Sequence, residues 1–300
     1  MSFSENVAES DEEKRVLLSV IIPTRNSADT IRDALSSIFS NELSRKAFEV
    51  LIVDYNSTDG TLKVAEEFPT RILHCEKRGH GVARNMGIRE AEAEILCFTD
   101  SDCVVEQDWL IRILEFFESR PEVDGVGGPS LAYPKPWNKI QELAGDIFVE
   151  DQGFPTTKMK VEFGKFKGTL FATNSAFRKN ALVSVGGFAP GGNCLELSWR
   201  LVSNGKVLIF DPNLKVYHRL PSDLRRIFKE QFRWGVQMTG MEKRHGVFKL
   251  RKIVLYGYSL TKASLSLLSF KNGSKKLLRF YQLVAFSLGR LAGIRIIDIL

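Results

Sequence analysis

Short apolar runs alternate with stretches of helical spacing along the first hundred residues. The runs at 17–22, 48–53 and 95–98 are strongly apolar, a pattern typical of strands buried inside a sheet. Between the first two runs, apolar residues recur every three or four positions at 31–39, which predicts an amphipathic helix. Strands and helices that alternate with short connections predict an α/β fold with a doubly wound, mostly parallel sheet and flanking helices.

Polar residues follow each of these predicted strands. In a doubly wound sheet, ligands bind beyond the carboxyl ends of the strands, so we expect these side chains to line one site. The group includes Thr24, Asn26, Asp54, Asp100 and Asp102.

Asp100 and Asp102 are separated by one residue at the end of the third run. In an extended backbone their carboxylates would point the same way, and two close carboxylates repel unless a cation lies between them. A divalent ion with oxygen ligands, itself bound to a phosphate, meets that need. The pair therefore predicts the metal and diphosphate end of a nucleotide-sugar site, and a solvated strand end is the alternative.

Four segments resemble, in order and spacing, the signature of family 2 glycosyltransferases, which have a nucleotide-diphospho-sugar transferase (GT-A) fold. They are SVIIPTRN at 19–26, VLIVDYNSTDGT at 50–61, GVARNMGI at 81–88 and CFTDSD at 97–102. The resemblance implies a UDP- or GDP-sugar donor and a Mn²⁺ or Mg²⁺ ion on Asp100 and Asp102. It also implies a base and ribose pocket near Pro23, Thr24, Asn26 and Asp54.

The same resemblance assigns expected roles further along the chain. Arg78 or Arg84 would hold phosphate oxygens, and Asp100 would also contact the donor. His218 ends a Val-Tyr-His run of the kind that completes the metal site in many family members. Arg233 and Trp234 lie in a segment similar to the Q-x-x-R-W signature of processive members, with Glu at the first place, and are expected near the acceptor or the diphosphate.

The expected position of the catalytic base carries an unusual residue. The segment 193–200 resembles a family pattern that begins Glu-Asp, with the Asp as base, but here the pair is Asn193-Cys194. A thiol is a poor general base because its unperturbed pKa is near 8.5. We therefore expect Glu196 to be the base if the backbone is extended there; in a helix it would be rotated by about 200° and point away. An acceptor that supplies its own nucleophile and an inactive protein are the alternatives.

Charge and composition divide the chain. Residues 219–300 carry 17 Lys and Arg against 4 Asp and Glu, a net charge of +13, whereas the whole chain carries +6. The four cysteines have no C-x-x-C spacing, which favours a reducing cytoplasm over a disulfide framework or a zinc site. We predict a disordered acidic tail at 1–16, a GT-A catalytic domain at 17–221 and a basic, apolar helical region at 222–300.

The C-terminal region has two interrupted apolar runs, 253–270 and 277–300. Neither is a clean spanning segment, and Arg279 and Arg290 lie three helical turns apart on one side. Basic charge beside apolar faces predicts helices lying in a membrane interface; a helical cap on the catalytic domain or a dimer surface is the alternative. We do not expect nucleic acid as a partner, since no recognition motif is present.

Together these features predict an inverting, metal-dependent glycosyltransferase on the cytoplasmic side of the cell membrane, held there as a peripheral or monotopic protein. Its acceptor would be a hydroxyl or phosphate, on a glycan or a lipid-linked molecule. A sugar nucleotidyltransferase and a catalytically impaired nucleotide-sugar-binding or scaffold protein are the alternatives.

Overall fold

The three apolar runs lie side by side at the centre of a mixed sheet. The computed structural model describes residues 16–77, 79–134, 136–152, 154–162, 169–189, 191, 194–246 and 273–297. The strands are β1 Leu18–Thr24, β2 Phe48–Asp54, β3 Arg71–His74, β4 Ile95–Phe98, β5 Cys103–Val105, β6 Gly125–Gly127, β7 Ser130–Ala132, β8 Met159–Lys160, β9 Ser175–Arg178, β10 Leu208–Phe210 and β11 Val216–His218.

The main sheet has the order β3-β2-β1-β4-β9-β6-β10-β8, and a smaller sheet has the order β5-β11-β7. Strands β1 to β4 are parallel where they pair, whereas β9 runs antiparallel to both β4 and β6. The helices are α1 Ile31–Phe39, α2 Thr61–Ala65, α3 His80–Glu90, α4 Trp109–Ser119, α5 Lys139–Gln152, α6 Lys179–Ser184, α7 Cys194–Ser203, α8 Leu224–Arg244 and α9 Gly273–Ile297. The expectation of a doubly wound, mostly parallel sheet with flanking helices is confirmed.

Alternate residues of β1 face two different apolar layers. Val20 and Ile22 belong to one buried cluster with Trp109, and Ile21 belongs to the other with Phe98. A strand covered on both faces needs apolar residues at every position, which explains why the first run is continuous rather than alternating. The register pairs Thr24 with Asp54, so the carboxyl ends of β1 and β2 lie level.

Helices α8 and α9 pack tightly against each other. A β-carbon placed on Gly235 or Gly289 would overlap backbone atoms of the opposite helix. Glycine at these positions therefore lets the two backbones approach. Arg290 of α9 lies in this interface, 1% exposed, and its Nη2 donates to the Glu242 carboxylate of α8 at 2.6 Å.

The burial of Arg290 shows how one of the two expected basic residues of the C-terminal region is used. Arg290 is turned inward to an acid that α8 supplies, so its charge is not presented to solvent. Of the two apolar runs, 253–270 lies outside the described residues, as does the tail at 1–15. Within the described part of the chain, no helix is both long and apolar enough to cross a membrane. The boundary at residue 221 between a catalytic domain and a C-terminal helical region stays a prediction.

Candidate active site

Asp102 and His218 meet where β5 and β11 pair. The register places His218 beside Cys103, and the Asp102 carboxylate lies 3.4 Å from Nε2 of His218. One ligand atom from each of Asp102, Cys103 and His218 falls within 4.8 Å of the others. Burial lowers the pKa of His218 most strongly, but the charge of Asp102, the hydrogen bond to it and the charges of Glu230 and Asp100 together raise this pKa to about 9.

Asp100 and Asp102 reach this region by a different geometry from the one expected. Strand β4 ends at Phe98 and the chain turns, so the two carboxylates do not share a face of an extended strand. Asp100 instead accepts a hydrogen bond from Nη2 of Arg84 at 2.8 Å, and it lies outside the cluster of metal-binding atoms. The extended-strand explanation was therefore wrong, and Asp100 as a metal ligand stays a prediction.

The donor atoms of this cluster fit a divalent ion. A carboxylate together with an imidazole suits Mn²⁺ better than Mg²⁺, which prefers an all-oxygen shell. Cys103 is fully buried, and burial raises the pKa of its thiol well above the usual value. The proton on His218 must leave before its nitrogen can bind metal. Asp102 and His218 are thus the candidate ligands, and phosphate oxygens of a donor would complete the shell.

The four predicted donor-binding residues at the ends of β1 and β2 lie close together. Asn26 has a φ of 51° and accepts from the Thr58 amide at 2.8 Å, which joins the loops that follow the two strands. Asp54 is buried and accepts from the Ser57 amide at 3.1 Å. The hydroxyl of Thr24 is buried and has no hydrogen-bond partner within the described residues, so it is available to a ligand. Pro23, which precedes it, has no N–H and so needs no hydrogen-bond acceptor at its nitrogen.

A chain of contacts that the sequence did not reveal connects β2 to α8. The Tyr55 hydroxyl lies 3.4 Å from Nε2 of His80, and Nη1 of Arg233 lies 3.3 Å from the same nitrogen. The guanidinium of Arg25 lies 5.7 Å from the centre of the Tyr55 ring. Tyr55 therefore makes an aromatic contact beside the predicted donor pocket.

One polar face of α8 is turned toward this site. Arg226, Glu230 and Arg233 follow the spacing i, i+4, i+7, which places them on one side of a helix. The pKa of the Glu230 carboxyl is raised, chiefly by burial and also by the charge of Asp102. The positive charges of His218, Arg233 and Arg226 lower it in part. Trp234 lies next to this face, and its ring stacks on Phe171 with centroids 6.4 Å apart. The polar spacing within α8 is the signal that could have identified Arg226 and Glu230.

Glu196 does not face the site. Helix α7 begins at Cys194, so Glu196 is rotated away from Cys194 by about 200°. Its carboxylate is 2% exposed and accepts from Nε and Nη2 of Arg200 at 2.8 and 3.0 Å, with His245 at 3.5 Å. Cys194, in contrast, lies within electrostatic reach of Arg84 and Asp100. The expectation that Glu196 is the general base is therefore corrected, because in helix α7 its side chain points toward Arg200 rather than into the site.

Glu196 instead supports a turn that leads to Arg84. Its partner Arg200 also donates to the carbonyl oxygens of Val185 and Gly187, the latter at 2.7 Å. The turn continues into Phe188, whose buried ring lies 5.4 Å from the guanidinium carbon of Arg84. Glu196 is thus a candidate positioning residue that acts through Arg200.

Glu196→Gln is expected to lower stability by about 1–3 kcal/mol, because a buried hydrogen bond to a charged group is weakened. The pH dependence of turnover is expected to stay unchanged, whereas loss of a general base would reduce the rate by roughly 10²–10⁴ and remove one limb of the profile. The measurements are urea denaturation and kcat across pH. Arg200→Gln is the matched variant, since it breaks the same pair without touching the acid. A pH limb lost in Glu196→Gln alone would restore the base assignment.

Two expected residues cannot be placed. Arg78 and Asn193 lie outside the described residues. Arg84, the alternative to Arg78 for holding phosphate, is 4% exposed and paired with Asp100.

Comparison with known proteins agrees with this fold. Residues 19–186, more than half of the chain, match the model of glycosyl transferase family 2. Glycosyltransferase AglE of Haloferax volcanii is 29% identical over 256 residues, covering 80% of this chain and 81% of that protein. The chain therefore belongs to glycosyl transferase family 2 and is an enzyme of that family.

Two solved structures share the GT-A fold. Mannosyltransferase PcManGT from Pyrobaculum calidifontis, solved with GDP-Man and Mn²⁺, superimposes with a TM-score of 0.64 at 19% identity, over 91% of this chain and 86% of that one. Residues 1–349 of TarS from S. aureus, solved with UDP-GlcNAc, give 0.57 at 17% identity, over 93% and 92%. Both neighbours were solved with a nucleotide sugar bound.

Proposed function

We propose that this chain is an inverting, metal-dependent glycosyltransferase that takes a sugar from a UDP- or GDP-sugar. The observation that carries the proposal is the meeting of Asp102 and His218 beside the Arg84–Asp100 pair, at the carboxyl ends of the central strands. This is where an open α/β sheet binds its ligand. The neighbours solved with GDP-Man and UDP-GlcNAc support both donor types.

Each group has a distinct task in the proposed reaction. A divalent ion, when bound, neutralises the charge of the departing nucleoside diphosphate. Asp102 and His218 would hold that ion, and Arg84 and Arg233 would add positive charge around the phosphates. The buried Thr24 hydroxyl and the loops joined by Asn26 hold the nucleoside. Attack on the anomeric carbon from the side opposite the diphosphate inverts its configuration.

A thermal-shift panel tests the donor and the metal together. GDP-mannose, UDP-N-acetylglucosamine and UDP-glucose are each added with and without Mn²⁺. A ligand that binds only the folded state raises the melting temperature, so at least one donor should raise it more with Mn²⁺ than without. Equal melting temperatures with every donor, with and without metal, would refute the proposal.

We also propose that the enzyme acts on a lipid-linked acceptor at the cytoplasmic face of a membrane. Helix α9 presents Leu277, Leu288 and Leu291, which are 58%, 45% and 48% exposed, and their spacing places them on one side. The +13 charge of residues 219–300 complements anionic lipid headgroups. An apolar stripe within a basic region is typical of helices that lie in a membrane interface.

Vesicle flotation tests the membrane proposal. The protein is expected to float with vesicles that contain 30% phosphatidylserine, and Leu288→Ser with Leu291→Ser is expected to weaken binding at least tenfold, because apolar burial is lost. Val183→Ser is the control, since Val183 is 60% exposed on α6 outside this stripe. Equal flotation of all three proteins, or no flotation of the wild type, would contradict membrane binding through α9.

A further inference from the structure

The exposed Arg233 of α8 is held by an imidazole rather than by a carboxylate. Its Nη1 lies 3.3 Å from Nε2 of His80, the first residue of α3. The Tyr55 hydroxyl lies 3.4 Å from the same nitrogen, and the Tyr55 and His80 rings meet edge to face with centroids 5.8 Å apart. His80 therefore joins the loop that follows β2 to α8, two segments that are far apart along the chain.

The hydrogen-bonding capacity of these groups determines the state of the imidazole. A guanidinium can only donate, so Nε2 of His80 must be an acceptor and the ring proton lies on Nδ1. Burial lowers the pKa of His80, and the positive charges of Arg84 and Arg233 lower it further. The negative charges of Asp100 and Asp102 oppose this effect only in part. The imidazole is thus neutral at neutral pH and can accept a hydrogen bond from Arg233.

A neutral partner leaves the charge of Arg233 available. Three other arginines are each paired with a carboxylate, which offsets their positive charge: Arg84 with Asp100, Arg200 with Glu196 and Arg290 with Glu242. His80 instead fixes one N–H of Arg233 and adds no negative charge, although Glu230 lies within electrostatic reach on the same helix. The remaining N–H donors of a guanidinium match the geometry of phosphate oxygens.

The helix that carries Arg233 is itself fixed by contacts with two other segments. Its ring and amide partners are Trp234 with Phe171 and Gln237 with Gly191. An exposed arginine side chain on such a helix still has many rotamers, and ordering it has an entropic cost. The contact with His80 selects one direction before any ligand binds.

We propose that His80 is a positioning residue of this enzyme, which holds the guanidinium of Arg233 toward the phosphates of the bound nucleotide. His80 does not touch the reacting atoms and acts through Arg233. Because a cation that is already oriented loses less freedom on binding, the contact raises the affinity for a nucleoside diphosphate. Through Tyr55, the same imidazole is attached to the loop at the predicted nucleoside pocket. This inference rests on the proposed function and adds a residue to its binding machinery.

Two substitutions of His80 separate its hydrogen bond from its shape. His80→Gln keeps an uncharged acceptor, whereas His80→Leu keeps a similar volume without one. The affinities for GDP and UDP are measured by titration calorimetry with Mn²⁺, and the tighter ligand of the wild type is used throughout. His80→Leu is expected to weaken its binding about tenfold, because a hydrogen bond to a charged group is lost. His80→Gln is expected to stay within about twofold of the wild type, since the acceptor is retained.

A double-substitution cycle tests whether His80 acts through Arg233. Arg233→Met is expected to weaken binding of the same nucleotide about tenfold, because a charged donor to phosphate is lost. Adding His80→Leu to Arg233→Met is expected to change the affinity by less than about twofold, because the partner is already absent. Arg225→Met is the control, since Arg225 is an exposed cation of α8 outside this contact, and it is expected to bind as the wild type does.

The outcomes separate this inference from the proposed function. If the wild type binds neither GDP nor UDP with Mn²⁺ and no nucleotide sugar raises its melting temperature, the proposed function fails and this inference fails with it. If a nucleotide binds, three results would each overturn the role of His80 and leave the function standing. These are wild-type affinity in His80→Leu, an equal loss in the Arg233→Met background, and no recovery in His80→Gln. If His80→Leu does not fold, His80→Asn, whose shorter amide does not reach Arg233, replaces it under the same criteria.

Discussion

Asp102→Asn is expected to abolish the Mn²⁺ dependence of donor binding and to lower turnover by roughly 10²–10⁴, since a metal that neutralises a leaving group is worth several kcal/mol and each 1.4 kcal/mol is tenfold. The amide keeps the size of the carboxylate and removes its charge. Asp102 is also the acid beside His218, so its loss removes the attraction that raises the pKa of this imidazole. Titration calorimetry with the donor, with and without Mn²⁺, measures the effect.

Glu90→Gln is the control for this change. Glu90 lies at the end of α3 in an exposed ion pair with Arg71, 3.1 Å apart, and surface pairs contribute about 0–1 kcal/mol. Its donor affinity and Mn²⁺ dependence are expected to equal those of the wild type. If Asp102→Asn binds donor with unaltered Mn²⁺ dependence, the metal is not held by Asp102 and the site must be reassigned.

Glu242→Leu is expected to reduce the free energy of unfolding by about 3–5 kcal/mol, because it leaves the buried Arg290 charge without this carboxylate. The pair is nearly inaccessible, with side-chain exposures of 4% for Glu242 and 1% for Arg290. Since whole domains are stable by only about 5–15 kcal/mol, the loss should be large in urea denaturation. Glu118→Leu, an exposed acid on α4, is expected to change stability by less than about 0.5 kcal/mol.

The double variant Glu242→Leu with Arg290→Met separates charge from packing. Replacing both ions with apolar side chains is often neutral or stabilising, so the double variant is expected to recover most of the lost stability. A double variant as unstable as Glu242→Leu would mean that the packing between the helices, rather than the loss of the Glu242–Arg290 ion pair, determines the lower stability. Glu242→Leu with wild-type stability would contradict the described pairing of α8 and α9.

The order of the apolar runs along the chain was enough to predict the parallel central strands and the edge of the sheet at which the site is expected. Buried parallel strands require continuous apolar residues, and ligands bind beyond their carboxyl ends, so Thr24, Asp54 and Asp100 could be assigned to one region from sequence. The direction of each side chain could not be assigned in the same way. Because the chain turns after Phe98, Asp100 pairs with Arg84 whereas Asp102 lies against His218. Because a helix begins at Cys194, the side chain of Glu196 points toward Arg200.

The sequence by itself therefore determined the fold class and the family and predicted the position of the site, because strand patterns and motif order are local properties of the chain. The tertiary structure alone decided which charges meet. Asp102 with His218, Arg233 with His80 and Glu242 with Arg290 join residues that are distant along the chain. Such pairs depend on how helices and strands pack and on which side of a helix each residue lies. Successive residues of a helix are rotated by about 100°, so an error of one residue in a predicted helix position assigns a side chain to the wrong side.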